Sequence, residues 1–242
     1  MATETTFPRT QRIGILVFDK FEPLDVWGFV EAFSIARFIG TGYDSPPPYP
    51  FEILLISNER APTSAGAKPT PVQSMHGPCV APDLYRDEAL SQPFDLLMIP
   101  GGLGVGTLLP PAADVQSVEA LVTWVRTMDT RVSLMTSVCT GAAILAYADV
   151  LDGYTAATNH QAFAWVAGFG PRVQWDNVAR WVDAGKYVTS AGVSAGTDMA
   201  FHLVQRLAGR AVAEQAAIAA EYDWHRDPNQ PIFYPQQAAV RA

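Results

Sequence analysis

SLMTSVCTGAAILAYADVL (residues 133–151) joins an apolar, strand-like run to a helix-like apolar pattern, with only Cys139, Thr140 and Gly141 between them. A strand that becomes a helix within a residue or two holds its corner residue in a strained conformation and needs small neighbours, the arrangement of a nucleophile elbow. Ser137-Val138-Cys139-Thr140-Gly141 fits it as small, any, nucleophile, small, glycine. A lone cysteine is most often a small buried hydrophobe, but this position favours a nucleophile. Backbone N–H groups and the macrodipole at a helix N-terminus predict a thiol pKa lowered from about 8.5 toward 3.5–7.5.

The same alternation extends in both directions. RIGILVF (12–18), FEILLIS (51–57), FDLLMIP (94–100) and RVSLMTS (131–137) read as buried strands, and LDVWGFVEAFSIARFIG (24–40), closed by Gly40, and SVEALVTWVRTM (117–128) read as helices. The proline- and glycine-broken stretch 58–83 predicts an irregular or hairpin-like excursion. RVQWDNVARWVDAGKYVTSAG (172–192) carries the turn signal DAGK and predicts a hairpin, followed by helices over 194–209, with Ser194 as N-cap and Gly209 as terminator, and over 210–222. Continuous apolar strands alternating with helices predict an α/β fold: a parallel, flavodoxin-like sheet sandwiched between helices. Without repeats, linkers or a composition break, 1–242 reads as one domain with polar tails at 1–11 and 224–242.

Of the 242 residues, 49% are apolar and 17% charged, ample for a sizeable core. A net charge of −8 without a Lys/Arg cluster argues against nucleic acid or an anionic membrane as partner. No window approaches the roughly 20 apolar residues of a bilayer span, and the polar N-terminus lacks a signal core, so a cytoplasmic location is expected. The two cysteines, Cys79 and Cys139, make no disulfide framework, and no His/Cys/Asp/Glu set has zinc-ligand spacing, so no metal is expected.

Ligands of open parallel sheets bind beyond the carboxyl ends of the strands. Three features fall there. Besides Cys139, Gly101-Gly102 follows the third strand and offers a backbone N–H that, with that of Thr140, would hold developing negative charge. Asp25, in the apolar segment EPLDVWGF, reads either as a helix cap or as a carboxyl near the thiol, its pKa raised by burial, serving as general acid/base. Glu22, in a more polar setting, is the competing carboxylate. Among the histidines, His76, His202 and His225 read as structural, and His160 is the one near the sheet's carboxyl edge.

ILVFDKFEPLDVWGFVEAF, DLLMIPGGLG, SVCTGAAILAYADVLDGYTAATNH, VTSAGVSAGTDMAFHLV and AAEYD occur in the order seen in the PfpI/ThiJ superfamily, which has a class I glutamine amidotransferase-like fold. From residue 12 to about 223 the chain resembles that superfamily, and within it the isonitrile (isocyanide) hydratases most. The resemblance implies Cys139 as nucleophile, Asp25 as acid/base, Thr140 as a hydroxyl close to both, the N–H groups of Gly102 and Thr140 as oxyanion donors, and a homodimer. Two departures fall at the substrate pocket. Asn159-His160-Gln161 stands where hydratases show Thr-His-Trp, and Trp27 stands where smaller residues are usual. Thr140 replaces the histidine that follows the cysteine in the protease-like branch.

The expected function is therefore an isonitrile hydratase-like lyase acting on a small molecule without a cofactor. The alternatives are a glyoxalase- or deglycase-like thiol enzyme of the same fold and a ligand-sensing regulatory module. A regulator of the AraC type would carry a helix-turn-helix region of roughly 100 further residues, and nothing basic follows the last helix of these 242 residues.

Overall fold

The computed structural model describes residues 7–63, 66–230 and 232. In chain order the elements are β1 (Gln11–Val17), α1 (Pro23–Ser34), β2 (Phe51–Ser57), β3 (Val72–Gln73), β4 (Cys79–Val80), β5 (Leu84–Tyr85) and α2 (Arg86–Ala89). They continue with β6 (Leu96–Ile99), α3 (Val105–Leu108), α4 (Val115–Asp129), β7 (Leu134–Val138), a 3-10 turn (Cys139–Gly141) and α5 (Ala142–Tyr147). The last are β8 (Thr155–Ala157), α6 (Phe163–Ala167), β9 (Gln174–Asp176), β10 (Trp181–Ala184), β11 (Tyr187–Ser190), α7 (Ala195–Ala208) and α8 (Arg210–Ala219).

Seven strands form one sheet in the order β10-β11-β7-β6-β1-β2-β5. Every neighbouring pair is parallel except β10–β11. All residues of β6 and β7 are buried, which is why both are uninterrupted apolar or small runs rather than alternating ones. Helices α1, α7 and α8 pack on one another, and α4, α5 and α6 form a second group. The expected α/β sandwich is thus the observed fold, and its buried apolar residues make one continuous cluster.

Differences from the sequence reading have local causes. Helix α1 ends at Ser34, short of Gly40, because Arg37 turns back and donates to the carbonyls of Ser34 (2.7 Å) and Ala36 (2.9 Å). Helix α4 begins two residues before Ser117 because the Asp114 side chain accepts from Ser117 N–H at 2.9 Å, capping it. The 58–83 excursion holds the small antiparallel pair β3–β4. The hairpin is confined to β10–β11 around Gly185, while Gln174–Asp176 pairs in parallel with β8. Gly209 ends α7 with φ 94°, but the Ser194 side chain makes no capping bond.

The polar tails need correction where they are described. Phe7 stacks on Phe38 at 4.9 Å, and Gln11 is already in β1. At the other end Trp224 is buried, its indole N–H donating to Asp198 O at 3.0 Å, and Pro228 O accepts from Arg180 N–H at 2.8 Å. Residues 1–6, 231 and 233–242 lie outside the described residues.

Candidate active site

The β7 strand ends at Val138, and Cys139 has φ 57°, a left-handed conformation that costs a side-chain-bearing residue energy. Its backbone is held from both sides. Cys139 N–H donates to Ala191 O at 3.3 Å, and Thr158 Oγ1 donates to Cys139 O at 2.8 Å. The end of β6 abuts the same corner. A Cβ on Gly101 would lie 2.6 Å from Thr140 N and 2.8 Å from Cys139 Cβ, so only glycine lets the two strand ends meet. The elbow read from the sequence is present.

Two donors face the sulfur. Asn159 Nδ2 donates to Cys139 Sγ at 3.2 Å, and Thr140 N–H does so from the backbone. The orientation of the Asn159 amide is fixed by its other end, where Oδ1 accepts from the N–H groups of Gln161 and Ala162, both at 2.9 Å. Gly192 leaves room for that amide, since a Cβ there would collide with Nδ2. The sequence marked Asn159 only as a pocket departure. Its bond to sulfur needs β8 and β11 brought side by side, which no local pattern reveals.

Asp25 is fully buried and accepts from Gly101 N–H through Oδ2 at 2.8 Å. Its Oδ1 has no hydrogen-bond partner among the described residues. Asp25 is the third residue of α1, whose N-cap is Glu22, so the capping alternative does not hold. Burial pushes its carboxyl well above the carboxylate range, with the Glu22 charge adding to the rise and the Gly101 bond opposing it. Cys139, 6% exposed, is likewise pushed up to about 12, first by burial and then by the charge of Asp25. The expected lowered thiol pKa is therefore overturned. A three-residue turn and the six-residue α5 give too little dipole to offset desolvation of a buried sulfur. Burial disfavours the charged form of both groups, and a charge on either opposes a charge on the other.

The expected oxyanion donors also change. Gly102 N–H donates to Thr140 Oγ1 at 3.1 Å, and Gly101 N–H is held by Asp25. Neither glycine N–H is left open. The donors that face the Cys139 sulfur are Thr140 N–H and the Asn159 amide.

Cys139 opens onto a cavity of about 510 Å³ whose walls include Glu22, Met75, Gly102, Leu103, Thr140, Asn159, Gln161, Ala162, Trp165 and Val193. Asp25 lies behind this wall and Glu22 on it, an arrangement their sequence settings did not reveal. His160 is not among the wall residues, although both its neighbours are. Trp27 is corrected outright. It is 40% exposed and lines a different cavity of about 390 Å³ with Leu24, Glu31 and Tyr222. Among the described residues no three His, Cys, Asp or Glu side chains are grouped to hold a metal, and no helix is long and apolar enough to cross a membrane.

Residues 11–206, spanning β1 to the last turn of α7 and hence the whole site, match the model of the DJ-1/PfpI family. This chain belongs to that family. Over 129 residues it is 32% identical to the isonitrile hydratase of Pseudomonas putida, covering 53% of this chain and 52% of that protein. Over 220 residues it is 26% identical to the HTH-type transcriptional regulator GbdR of Pseudomonas aeruginosa, covering 91% of this chain and 52% of the regulator. The matched part thus spans about half the length of each of these curated relatives. Among solved structures, a ThiJ/PfpI family protein from Pseudomonas syringae superimposes with TM-score 0.69 at 26% identity, covering 96% of this chain and 79% of that one.

Proposed function

We propose that the Cys139 cavity is the active site of an isonitrile hydratase-like lyase. One observation carries the reading: a buried thiol lies beside a buried carboxyl, burial disfavouring the charged form of each, at the inner end of a cavity of about 510 Å³. The neutral isonitrile group meets the buried thiol and carboxyl without the desolvation penalty an ion would meet at that end of the cavity. Asp25 transfers its proton to the terminal carbon of R–N≡C. As the C–S bond forms, one pair of the multiple bond moves to nitrogen and the thiol proton passes to the Asp25 carboxylate. The product is the thioimidate R–N=CH–S–Cys139, with Asp25 restored as the acid.

Water then adds to the thioimidate carbon and a proton goes to nitrogen. Collapse of the adduct breaks the C–S bond, returns the hydroxyl proton to sulfur and releases R–NH–CHO. This covalent route divides one hard addition into two easier ones and consumes no cofactor. Thr140 N–H and Asn159 Nδ2 stabilise negative charge on sulfur as it enters and leaves. The P. putida relative supports the reading by its name and its 32% identity.

The test is to incubate the protein with a small alkyl isonitrile and measure the N-alkyl formamide by mass spectrometry. Failure to form formamide across a panel of alkyl isonitriles overturns the proposal. The alignment with a regulator over 91% of the chain favours a second reading, a pocket that binds without turnover. That reading predicts a ligand-induced rise in melting temperature with no product.

A further inference from the structure

The cavity beside Cys139 has a one-sided charge. None of its wall residues is Lys, Arg or His, and its single ionisable carboxyl wall group besides the reacting thiol is that of Glu22. Glu22 N–H is tied to Gly101 O at 2.8 Å, which fixes where the side chain begins. Among the described residues that side chain has no capping bond, other hydrogen bond or ion pair. Glu22 is near enough for its charge to be felt at both Cys139 and Asp25. The same lining includes Gln161 and Trp165, the latter 43% exposed and held edge-on against Phe169 at 5.0 Å.

From this arrangement we infer that the pocket selects small substrates carrying a cationic group, an ammonium received by Glu22 and Trp165 while the reactive end meets Cys139. An unpaired carboxylate on a part-buried wall attracts a cation and repels an anion. An indole is the best of the aromatic partners for an ammonium. Glu22 and Cys139 line one cavity of about 510 Å³, so a substrate that meets both is small. The inference rests on the reading that this cavity is the substrate site. It does not depend on which reaction occurs there.

The experiment uses three unreactive probes of one size: n-butylammonium, n-butanol and butanoate. Affinities for the wild-type protein and for Glu22→Gln are measured by ligand-observed nuclear magnetic resonance titration. In the wild type, butylammonium is expected to bind about tenfold more tightly than butanol, the scale of one hydrogen bond to a charged group, and butanoate more weakly than either. In Glu22→Gln the ratio of ammonium to alcohol affinity should fall to about one. Raising the ionic strength of the wild-type sample should compress the same ratio, an arm that needs no variant.

Equal binding of the three probes, or a preference for butanoate, overturns the inference. So does a cation preference that survives in folded Glu22→Gln. A parallel comparison of kcat/KM for an ω-aminoalkyl isonitrile and its uncharged analogue should show the same ratio and the same loss. Because the probes are not isonitriles, absence of formamide production sinks the proposed reaction and leaves the binding result standing. Formamide production without cation preference does the reverse.

Discussion

Two aspartates of this chain are fully buried, Asp25 at the cavity and Asp198 on α7, and their surroundings are opposites. Asp198 is compensated on every side. Its Oδ2 pairs with the Arg180 guanidinium, and its Oδ1 accepts from the Tyr222 hydroxyl and His225 N–H, both at 3.0 Å. Burial and the Asp198 charge both push the Tyr222 phenol upward. Asp25 has one backbone donor and an orphaned oxygen. A buried carboxylate with a cation and two donors fastens structure, whereas burial pushes one left short of partners toward its protonated form. Burial is common to both. Compensation separates them.

The largest expected effect tests what the Asp25 proton is for. Cys139→Ala should lower turnover on the order of a thousandfold or more while leaving the melting curve nearly unchanged. A residual rate above about a tenth of wild type would remove the covalent route. Next, Asp25→Asn should lose roughly 10²–10⁴-fold in rate without losing stability. The sign follows from linkage. Asp25 titrates in the fold well above its ordinary value of 3.8, so its contribution is full below that value and is lost as pH rises toward the folded pKa. Asn, which can still accept from Gly101, removes that loss. The variant's melting temperature should therefore gain on wild type as pH rises from about 4 to neutrality. A variant that melts earlier yet keeps its rate would make Asp25 a second Asp198.

Asp198→Asn should show the mirror image, destabilising the fold by about 3–5 kcal/mol because Arg180 is left buried without its partner. Chemical denaturation measures it, and the rate per folded molecule should change far less than in Asp25→Asn. The smallest effect concerns the thiols. At neutral pH, Cys79, which is exposed, should react with a polar alkylating probe faster than the buried Cys139. Peptide mass spectrometry reads the ratio, and the reverse order would mean that Cys139 is less desolvated than its surroundings indicate.

Much of the fold was legible because parallel sheets write themselves in the chain. Phe51–Ser57 is a strand over the residues its apolar run marks, and the Cys139 corner is where the run and the helix pattern collide. What was illegible depends on tertiary neighbours. The thiol's raised pKa needs the burial of Cys139. The occupation of Gly102 N–H needs Thr140 Oγ1 to reach across two strand ends. Asn159 meets sulfur only because Gly192 makes way. Glu22 and Asp25, three residues apart, lie on the cavity wall and behind it respectively, and Trp27, two residues beyond Asp25, lines a different cavity. The end of α1 escaped because Arg37, outside the helix, donates to the carbonyl of Ser34, its last residue.

The docked segment beyond α8 has a consequence for the order of assembly. Cys139 N–H rests on Ala191 O, Ala191 N–H on Arg180 O at 2.7 Å, and Arg180 is in turn held by Asp198 and Pro228. On a ribosome Cys139 emerges well before the residues that complete this relay. The relay behind Cys139 is therefore complete only once residues 222–228 have left the ribosome and docked on α7. A product truncated before that segment would lack the Pro228 acceptor of Arg180 and the Tyr222 and His225 donors of Asp198, on which the backbone support of Cys139 rests.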